Sequence, residues 1–313
     1  MTSSIDRRMA TTMTVSVRVP ASSANLGPGY DALGLALALH DEVSAEPVDG
    51  GRTTVAVHGE GAGDLPTDEQ HLVVRAMRAT FHELGQTPPA VALTCHNRIP
   101  HARGLGSSSA AIVAGILLGR ALAAGGGQLT DDGVLQLAAR IEGHPDNVAA
   151  CLLGGVTIAW IAAGAARAVR LAPADPVRPT VFVPDQRGLT AAARAALPPT
   201  VPHADAAHTA GRAALLVHAL TRAPELLLDA TEDRLHQDYR APATPATAAL
   251  VRRLRRAGVA AVVSGAGPAV LALSPVPSDF GGEPGWVRHV LKVDPDGAVV
   301  EAGMLVRYAG EER

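Results

Sequence analysis

The sequence predicts a globular protein that mixes helices with strands and divides into two halves. Three observations support this fold class. The 313 residues are 47% hydrophobic, which suits one large domain or two of ordinary size with a sizeable core. Segments with strand periodicity alternate with segments of helical periodicity along the chain. A stretch rich in glycine and alanine, "AAGAARAVRLAPADPVRP", is typical of a crossover and predicts a boundary near Ala165.

The first half begins with a polar lead, residues 1–12, which we expect to be disordered. Two long strands follow, "MTVSVRV" and "ALGLALALHDEVSAEPV", connected by the glycine-containing stretch "PASSANLGPGYD". We then expect a strand at "RTTVAVHG", an amphipathic helix over residues 69–84, a strand at "AVALTCHN" and a helix after Gly106. A helix over residues 131–141 precedes the interruption "EGHPDN", and "GGVTIAWI" closes this half as a strand.

The second half begins with the predicted strand "TVFVPD". Helices over residues 209–221 and 247–257 alternate with the strands "VAAVV" and "AVLALS", which flank the tight turn "SGAGP". The stretch "AVVEAGMLVRYAG" near the end has the pattern of a strand. No repeat of fixed period is present in the sequence.

Composition narrows the classes of function. The net charge of −3 is spread without a long acidic or basic block, which argues against nucleic acid as a partner. No apolar leader opens the chain and no segment reaches ~18 uninterrupted apolar residues, so we expect a cytoplasmic protein that binds no membrane. Cys95 and Cys151 lie in apolar segments without metal-ligand spacing, which indicates buried thiols.

The stretch "PHARGLGSSSAAIVAGI" is the strongest local signal for chemistry. A glycine and serine turn that opens a helix presents free backbone N–H groups and the positive end of the helix dipole, which together suit an anion. We expect Gly104 and Gly106 to let the backbone approach phosphate oxygens closely. Lys292 is the only lysine of the chain, so the lysine of a Walker A loop is absent here. Taken alone, the stretch is equally compatible with a tightly packed helix start.

Two more glycine turns, "NLGPGYD" and "SGAGP", change that balance. The stretches "PASSANLGPGYDALGLAL", "PHARGLGSSSAAIVAGI" and "VSGAGPAVLAL" resemble, in order and spacing, the three signature motifs of the GHMP kinases. The resemblance implies an α+β fold of two domains. Residues 13–165 would form an N-terminal, ATP-binding domain like ribosomal protein S5 domain 2, and residues 166–313 a ferredoxin-like α/β sandwich.

Within that superfamily, "SANLGPGYDALGLAL" and "EGHPDNVAACLLGG" resemble the homoserine kinase family. The resemblance implies transfer of the γ-phosphoryl of ATP to the side-chain hydroxyl of L-homoserine, a step towards threonine, with Mg²⁺ required. Small molecules would be the partners, without nucleic acid or membrane, and a homodimer stays open.

The resemblance also implies roles for residues. Ser108 and Glu142 would coordinate Mg²⁺, since a hydroxyl and a carboxylate suit this hard, oxygen-seeking ion. From the sequence alone, Ser108 could instead be a helix N-cap and Glu142 a solvated helix end. The residues assigned to the ATP phosphates are Pro100, Arg103, Gly104, Leu105, Gly106, Ser107, Ser108 and Ser109.

Homoserine is a zwitterion, so its site needs a fixed anion and a fixed cation. Asp31 can receive the ammonium group, and Arg194 and Arg240 resemble the two carboxylate-binding arginines of the family. The stretch "HQDYR" around Arg240 departs from the commoner "HQPYR". The residues assigned to the substrate are Asn25, Asp31, His144, Asn147, Thr190, Arg194, Arg240, Gly265 and Gly267.

The candidate catalytic residues are Asn147, Asp146 and Asn25. Asn25 and Asn147 are suited to orienting the homoserine hydroxyl, whereas Asp146 could be a general base. We favour positioning without a dedicated base, in which case the ATP phosphate or water accepts the proton. The run from His144 to Asn147 could equally be a turn that starts the next helix, with Asp146 or Asn147 as its cap.

Two alternatives remain at this stage. A related kinase could act on another small hydroxylated amino acid or alcohol, although Arg194 and Arg240 favour a carboxylated one. A non-catalytic protein of the same fold could bind a small molecule, but the Mg²⁺ candidates Ser108 and Glu142 would then be expected to be absent.

Overall fold

The structure is a computed structural model that describes residues 10–175, 177–188, 190–280 and 284–307. The elements of the first part of the chain are β1 Ala10–Asn25, β2 Gly29–Pro47, β3 Thr54–Gly59, α1 Leu72–Glu83, β4 Val91–Asn97, α2 Ser107–Leu122, α3 Asp131–Glu142, α4 Asp146–Leu153, β5 Val156–Ala162 and β6 Ala165–Leu171. Those of the second part are β7 Thr180–Pro184, α5 Thr190–Ala195, α6 His203–Thr221, α7 Leu227–Ala230, α8 Gln237–Arg240, α9 Pro245–Arg256, β8 Ala261–Val263, β9 Val270–Ala272, β10 Trp286–Val290 and β11 Val299–Arg307.

The larger sheet has the strand order β11-β1-β2-β4-β3, and the β5–β6 hairpin adds to it through β2. β3 pairs with β4 in parallel and the other pairs are antiparallel. Helix α2 packs against β1 and against α1, α3 and α4. Its residues from Ser109 to Gly119 are mostly buried, because small alanines and glycines let the neighbouring elements approach it closely. This buried helix carries the glycine and serine turn at its beginning.

The connection between the first two strands is much shorter than predicted. β1 continues through "PASSAN" to Asn25, and β2 begins at Gly29. Ala21, Ser22 and Ser23 are fully buried, so this part of β1 has both faces covered and shows no polar alternation. The sequence pattern therefore resembled a loop where the structure has a strand.

The predicted division into residues 13–165 and 166–313 does not match the sheets. β6 pairs with β5 from Ala162↔Ala165 to Val156↔Leu171, and β11 returns to pair with β1. The expected crossover is a tight hairpin turn at Ala163 and Gly164, both of which have positive φ. The predicted disordered lead is also too long, since Ala10 already begins β1, whereas residues 1–9 lie outside the described residues.

The smaller sheet is antiparallel, with the order β10-β7-β9-β8. Numbered along the chain, its strands lie in the order 4-1-3-2 of a ferredoxin-like sheet, which confirms the predicted type of the second unit. Helix α9 packs on β8 and β9. In the described residues, the link from β9 to β10 contains only a short 3-10 turn, Ser278–Phe280. Strand β10 was not predicted, because its side chains are mostly half-exposed.

Two further observations concern the chain as a whole. Cys95 and Cys151 are both buried free thiols, as the sequence predicted. No helix in the part of the chain described by the structure is long and apolar enough to cross a membrane.

Candidate active site

A single cleft of about 420 Å³ gathers residues from all three glycine-containing motifs. It lies where the beginning of α2, the turn between β1 and β2, α8 and the turn before β9 meet. The predicted site residues that line it are Asn25, Asp31, Arg103, Gly104, Leu105, Gly106, Ser107, Ser108, Glu142, His144, Asp146, Asn147, Arg194, Arg240 and Gly265. The structure therefore brings together most of the residues that the sequence singled out.

Three predicted residues do not line this cleft, namely Pro100, Ser109 and Gly267. Ser109 is fully buried in the first turn of α2. Gly267 donates its N–H to the carbonyl of Ser264 inside the turn, so that N–H is unavailable to a ligand. Thr190 begins α5, and its side chain lies outside the described residues.

The glycine and serine turn ends in an uncapped helix N-terminus. Gly106 is the N-cap residue, with φ of 69°, and no side chain caps the helix. Within the described part of the chain, the N–H groups of Gly106, Ser107, Ser108 and Ser109 find no acceptor. Unpaired donors at the positive end of a helix dipole form a site for an anion such as phosphate.

The reason for the glycines differs from the one expected. A Cβ on Gly104 would lie 2.2 Å from the carbonyl oxygen of Ser264, and one on Gly106 would lie 2.0 Å from the Ser22 hydroxyl. Both directions point into protein, not towards the space for phosphate. Ser22 also donates its N–H to the carbonyl of Leu105, and Ser264 donates its hydroxyl to that of Gly104 at 2.6 Å. Because these glycines have no Cβ, Ser22 of the first motif and Ser264 of the third can contact the loop directly.

Ser108 and Glu142 are direct neighbours although they come from different helices. The Ser108 hydroxyl donates to Glu142 Oε1 at 2.7 Å, and the Ser109 hydroxyl donates to the same oxygen at 3.0 Å. Ser108 is therefore not the helix N-cap, and Glu142, the last residue of α3, is not simply a solvated helix end. A hydroxyl and a carboxylate beside an uncapped helix N-terminus fit Mg²⁺, which usually has few protein ligands and several from phosphate and water.

The predicted partners for the two ends of a zwitterion pair with each other. Arg194 Nη2 lies 2.8 Å from Asp31 Oδ1, and Nη1 lies 3.0 Å from Oδ2. The Asp31 hydrogen bond raises the pKa of Arg194 above its ordinary value. The two side chains are 40% and 36% exposed, so a ligand can reach them. This bidentate contact, with two parallel hydrogen bonds, is the usual geometry between arginine and a carboxylate.

Arg240 lies deeper beside the same pair. It is 4% exposed, and its Nε donates to the carbonyl of Ala193 at 3.1 Å. Its guanidinium lies 5.4 Å from the centre of the Tyr30 ring, and that of Arg194 lies 5.9 Å from it. Burial lowers the pKa of Arg240 below its ordinary value. Two cations thus share one aromatic ring, with Asp31 as the nearby carboxylate.

The "EGHPDN" motif both begins a helix and lines the cleft. Asp146 Oδ1 accepts from the Asn147 N–H at 2.8 Å and contacts His144 Nδ1 at 2.6 Å. The hydrogen bond to Asp146 raises the pKa of His144. Asn147 Oδ1 accepts from the Ser22 hydroxyl at 3.0 Å, whereas its Nδ2 amino group has no acceptor among the described residues. That amino group can therefore donate to the oxygen of a bound alcohol.

Asn25 connects the first motif with the third. Its Nδ2 donates to the carbonyl of Gly265 at 2.8 Å, and its Oδ1 accepts the N–H of Asp31 at 2.9 Å. Asn25 and Asp31 both have positive φ, at 68° and 53°, a region that Asn and Asp tolerate better than other side chains do. Asn25 therefore fixes the turn that carries Asp31.

Sequence reasoning missed several residues of this region. Tyr30 and His236 stand in quoted motifs but received no role, because their partners are remote in the sequence. His71 lines the cleft, is 3% exposed, and has no hydrogen-bond partner at either ring nitrogen in the described residues. Asp41 lines it too, and burial raises the pKa of its carboxyl to about 6. No sequence signal separated His71 or Asp41 from ordinary core polar residues.

Fold and cleft together define a two-domain kinase of the GHMP class. The family model described as GHMP kinases N terminal domain matches residues 71–155, and the model described as GHMP kinases C terminal matches residues 212–279. These ranges cover helix α2 with its uncapped N-terminus, the "EGHPDN" motif and the glycine turn before β9.

The relatives narrow the class. A homoserine kinase of Streptomyces avermitilis is 58% identical over 292 residues, which cover 91% of this chain and 95% of the relative. One of Clavibacter michiganensis is 49% identical over 309 residues, with 94% and 96% covered. A solved structure of homoserine kinase from Cytophaga hutchinsonii has a TM-score of 0.80 at 25% identity, with 96% and 99% covered. The chain belongs to the homoserine kinase family of the GHMP kinases.

Proposed function

We propose that this protein is an ATP-dependent homoserine kinase that transfers the γ-phosphoryl group to the side-chain hydroxyl of L-homoserine and gives O-phospho-L-homoserine for threonine biosynthesis. The observation that carries this proposal is that one cleft joins an uncapped helix N-terminus to a carboxylate flanked by two arginines. The first set of groups suits a phosphate chain and the second suits an amino acid zwitterion. Homoserine kinases at 49–58% identity support the choice of substrate.

The phosphates of ATP would lie against the free N–H groups from Gly106 to Ser109. Ser108 and Glu142 would hold Mg²⁺ there, and the ion supplies neutralisation of phosphate charge when it is bound. The side chain of Arg103 binds the protein itself, since its guanidinium donates to the carbonyls of His101, Pro184 and Asp185. It fixes the loop to the end of β7, and phosphate contacts from this residue would come from its backbone.

Binding of homoserine would replace the ion pair between Asp31 and Arg194 with contacts to the substrate. Its ammonium group would replace the arginine as partner of Asp31, while its carboxylate would pair with Arg194 and Arg240. Every charge then keeps a partner, which matters because an unpaired charge in a partly buried site is strongly unfavourable. A ligand with only one of the two charges would leave either Asp31 or the arginines uncompensated.

Phosphoryl transfer here would depend on positioning. The Nδ2 amino group of Asn147 would orient the homoserine hydroxyl towards the γ-phosphate, and Ser22 holds the other end of that amide. The Asp146 oxygen that faces Asn147 is engaged by His144 and by the Asn147 N–H. We therefore propose that Asp146 orients the motif and that the hydroxyl proton leaves to a phosphate oxygen or to water.

The test is a turnover assay with ATP and Mg²⁺ that compares homoserine, threonine, serine, mevalonate and galactose. We expect ADP release with homoserine at a kcat/KM well above that of the other alcohols. ADP release with a different alcohol alone would overturn the substrate and keep the kinase. No release with any alcohol, together with binding of homoserine in calorimetry, would favour a non-catalytic binding protein.

The proposal includes the setting of the reaction. A kinase that uses ATP to make an amino acid precursor is expected in the cytoplasm, and its partners are small molecules. A homodimer stays a prediction, which sedimentation at equilibrium would test.

A further inference from the structure

His236 is a buried titratable side chain beside the proposed amino acid site. It is 1% exposed and lies in the segment just before α8, in the stretch "HQDYR". Its ring packs against the Tyr30 ring at 5.2 Å between centres. Buried polar groups are normally hydrogen-bonded, so both ring nitrogens are expected to have partners.

The two nitrogens have different and well-defined partners. Nε2 lies 2.8 Å from the carbonyl oxygen of Gly27, which can only accept, so Nε2 carries the proton. Nδ1 lies 3.1 Å from Arg240 Nη1, which can only donate, so Nδ1 is the acceptor. Burial, with the positive charge of Arg240, lowers the pKa of His236, in keeping with a neutral ring. Asp233 Oδ2 lies 3.5 Å from Nε2 and accepts a hydrogen bond from the backbone N–H of His236.

These contacts join the two sides of the proposed amino acid site. Gly27 belongs to the turn that carries Asn25 and Asp31, whereas Arg240 ends α8 in the other half of the molecule. His236 Nδ1 takes one Nη1 hydrogen of Arg240 and the Ala193 carbonyl takes its Nε hydrogen. No acceptor in the described ranges takes the Nη2 amino group or the second Nη1 hydrogen, so both can donate to a carboxylate.

We propose that His236 is a positioning residue for the substrate carboxylate. As a neutral acceptor it fixes the guanidinium of Arg240 above Tyr30, and as a donor to Gly27 it keeps Arg240 in register with Asp31, the ammonium partner. The inference rests on the proposed function, since it assigns His236 to the amino acid end of that site. It predicts that the residue affects binding of the amino acid and leaves the use of ATP unchanged.

Two substitutions separate the two hydrogen bonds. In His236→Gln the side-chain amide can reach the position of Nε2 and donate to Gly27, but it leaves Arg240 without its acceptor. In His236→Asn the amide oxygen takes the position of Nδ1 and can accept from Arg240. We expect H236Q to raise KM for homoserine about tenfold, as for loss of one hydrogen bond to a charged group. KM for ATP should stay within about twofold, and H236N should restore most of the affinity for homoserine.

A double-mutant cycle with Arg240→Ala tests whether His236 acts through that arginine. In the R240A background, H236Q should change KM for homoserine by less than about twofold, because the group it positions is gone. Two control variants are His218→Gln, on the exposed face of α6, and Leu220→Ala, which removes a buried side chain from the same helix. L220A should lower the melting temperature without a selective rise in KM for homoserine.

The outcomes separate this inference from the proposed function. Absence of homoserine turnover in the wild type would overturn the function, and the cycle would then be run with the carboxylated alcohol that is turned over. With the wild type active, the inference fails if H236Q leaves KM for homoserine unchanged. It also fails if H236Q raises both KM values in proportion to lost stability, as L220A would, or if the effects of H236Q and R240A simply add.

Discussion

At the scale of single residues, Asp146 is the side chain whose role the geometry constrains most. Its Oδ1 already serves His144 and the Asn147 N–H, so we expect Asp146→Asn to lower kcat only a few-fold. An asparagine oxygen can still accept from the Asn147 N–H. Removal of a general base typically lowers the rate 10²–10⁴-fold. Steady-state kinetics at saturating ATP and homoserine measures the difference, and a loss in that larger range would establish Asp146 as the base.

Arg240 gives a second prediction at the same scale. Arg240→Ala should raise KM for homoserine by about tenfold or more, because the bound carboxylate loses a charged hydrogen-bond donor. KM for ATP should change little, since the proposed phosphate site is at the beginning of α2, whereas the side chain of Arg240 contacts Ala193 and His236. Arg252→Ala, on α9, is the matched control and should leave both constants unchanged. An equal rise in both KM values for R240A would indicate general disruption of the cleft.

Single residues were predictable where a motif that resembles the family contains them. The resemblance singled out Arg194, Arg240, Ser108 and Glu142, and the charges of a zwitterion singled out Asp31. All five line one cleft, and their roles stay predictions. Tyr30 and His236 were not identified, because each acts through side chains that are distant in the chain. Their roles depend on packing between the two halves, which no local pattern encodes.

At the scale of elements, the proposed phosphate site depends on the turn at the beginning of α2. Gly106→Ala would place a methyl group 2.0 Å from the Ser22 hydroxyl on a residue with φ of 69°. We expect this change to displace the turn and to lower kcat/KM for ATP about tenfold or more, since strain of this kind amounts to about 1–3 kcal/mol. The matched control is Gly127→Ala, where a Cβ would meet no atom within 4 Å.

Kinetics and melting curves of both glycine variants check this prediction. G106A should lose activity towards ATP beyond what its lower melting temperature explains, while G127A should match the wild type. Unchanged kinetics in G106A would mean that the turn relaxes without moving its N–H groups. The proposed phosphate site would then need another arrangement of donors.

Elements with clear periodicity were predicted close to their observed bounds. The helix expected over residues 131–141 is α3, Asp131–Glu142, and the strand at "AVALTCHN" is β4, Val91–Asn97. The failures have physical causes. "AARAVRL" has no regular alternation, because β6 pairs only with β5 among the described strands and only Ala166 of its residues is buried. In an alanine-rich chain this irregular pattern was mistaken for a linker.

At the scale of the whole molecule, the chain passes from the second sheet back to the first through the segment around Asp294. The Lys292 carbonyl accepts the N–H of Ala38. The backbone N–H of Asp294 donates to the carbonyl of Ala36, and its carbonyl accepts the N–H of Gly155. Strand β11 then pairs with β1. The last part of the chain therefore ties the two sheets together, an arrangement that no count of predicted strands could reveal.

Asp294 is the buried carboxylate at the centre of that connection. It is 3% exposed, lies 2.6 Å from His40 Nε2 and accepts the N–H groups of Asp296 and Gly297. Burial alone would raise its pKa, but the hydrogen bonds from His40 and Gly297 outweigh burial and hold the pKa below its ordinary value. A depressed pKa in the folded state means that the carboxylate stabilises the fold above about pH 4. That contribution is lost as the pH falls through the folded pKa.

We therefore expect Asp294→Asn to lower the free energy of unfolding by about 1.5–3 kcal/mol at pH 7, the range for hydrogen bonds to a charged group. The variant should also show a flatter decline of stability below about pH 4, because the group that titrates there is gone. Denaturant titrations at pH 7 and at several acid pH values measure both effects. The neighbouring exposed Asp296→Asn is the control and should stay within about 0.5 kcal/mol of the wild type. If the stability of D294N falls with decreasing pH as steeply as that of the wild type, another carboxylate controls acid unfolding. The connection between the two sheets then does not depend on the charge of Asp294.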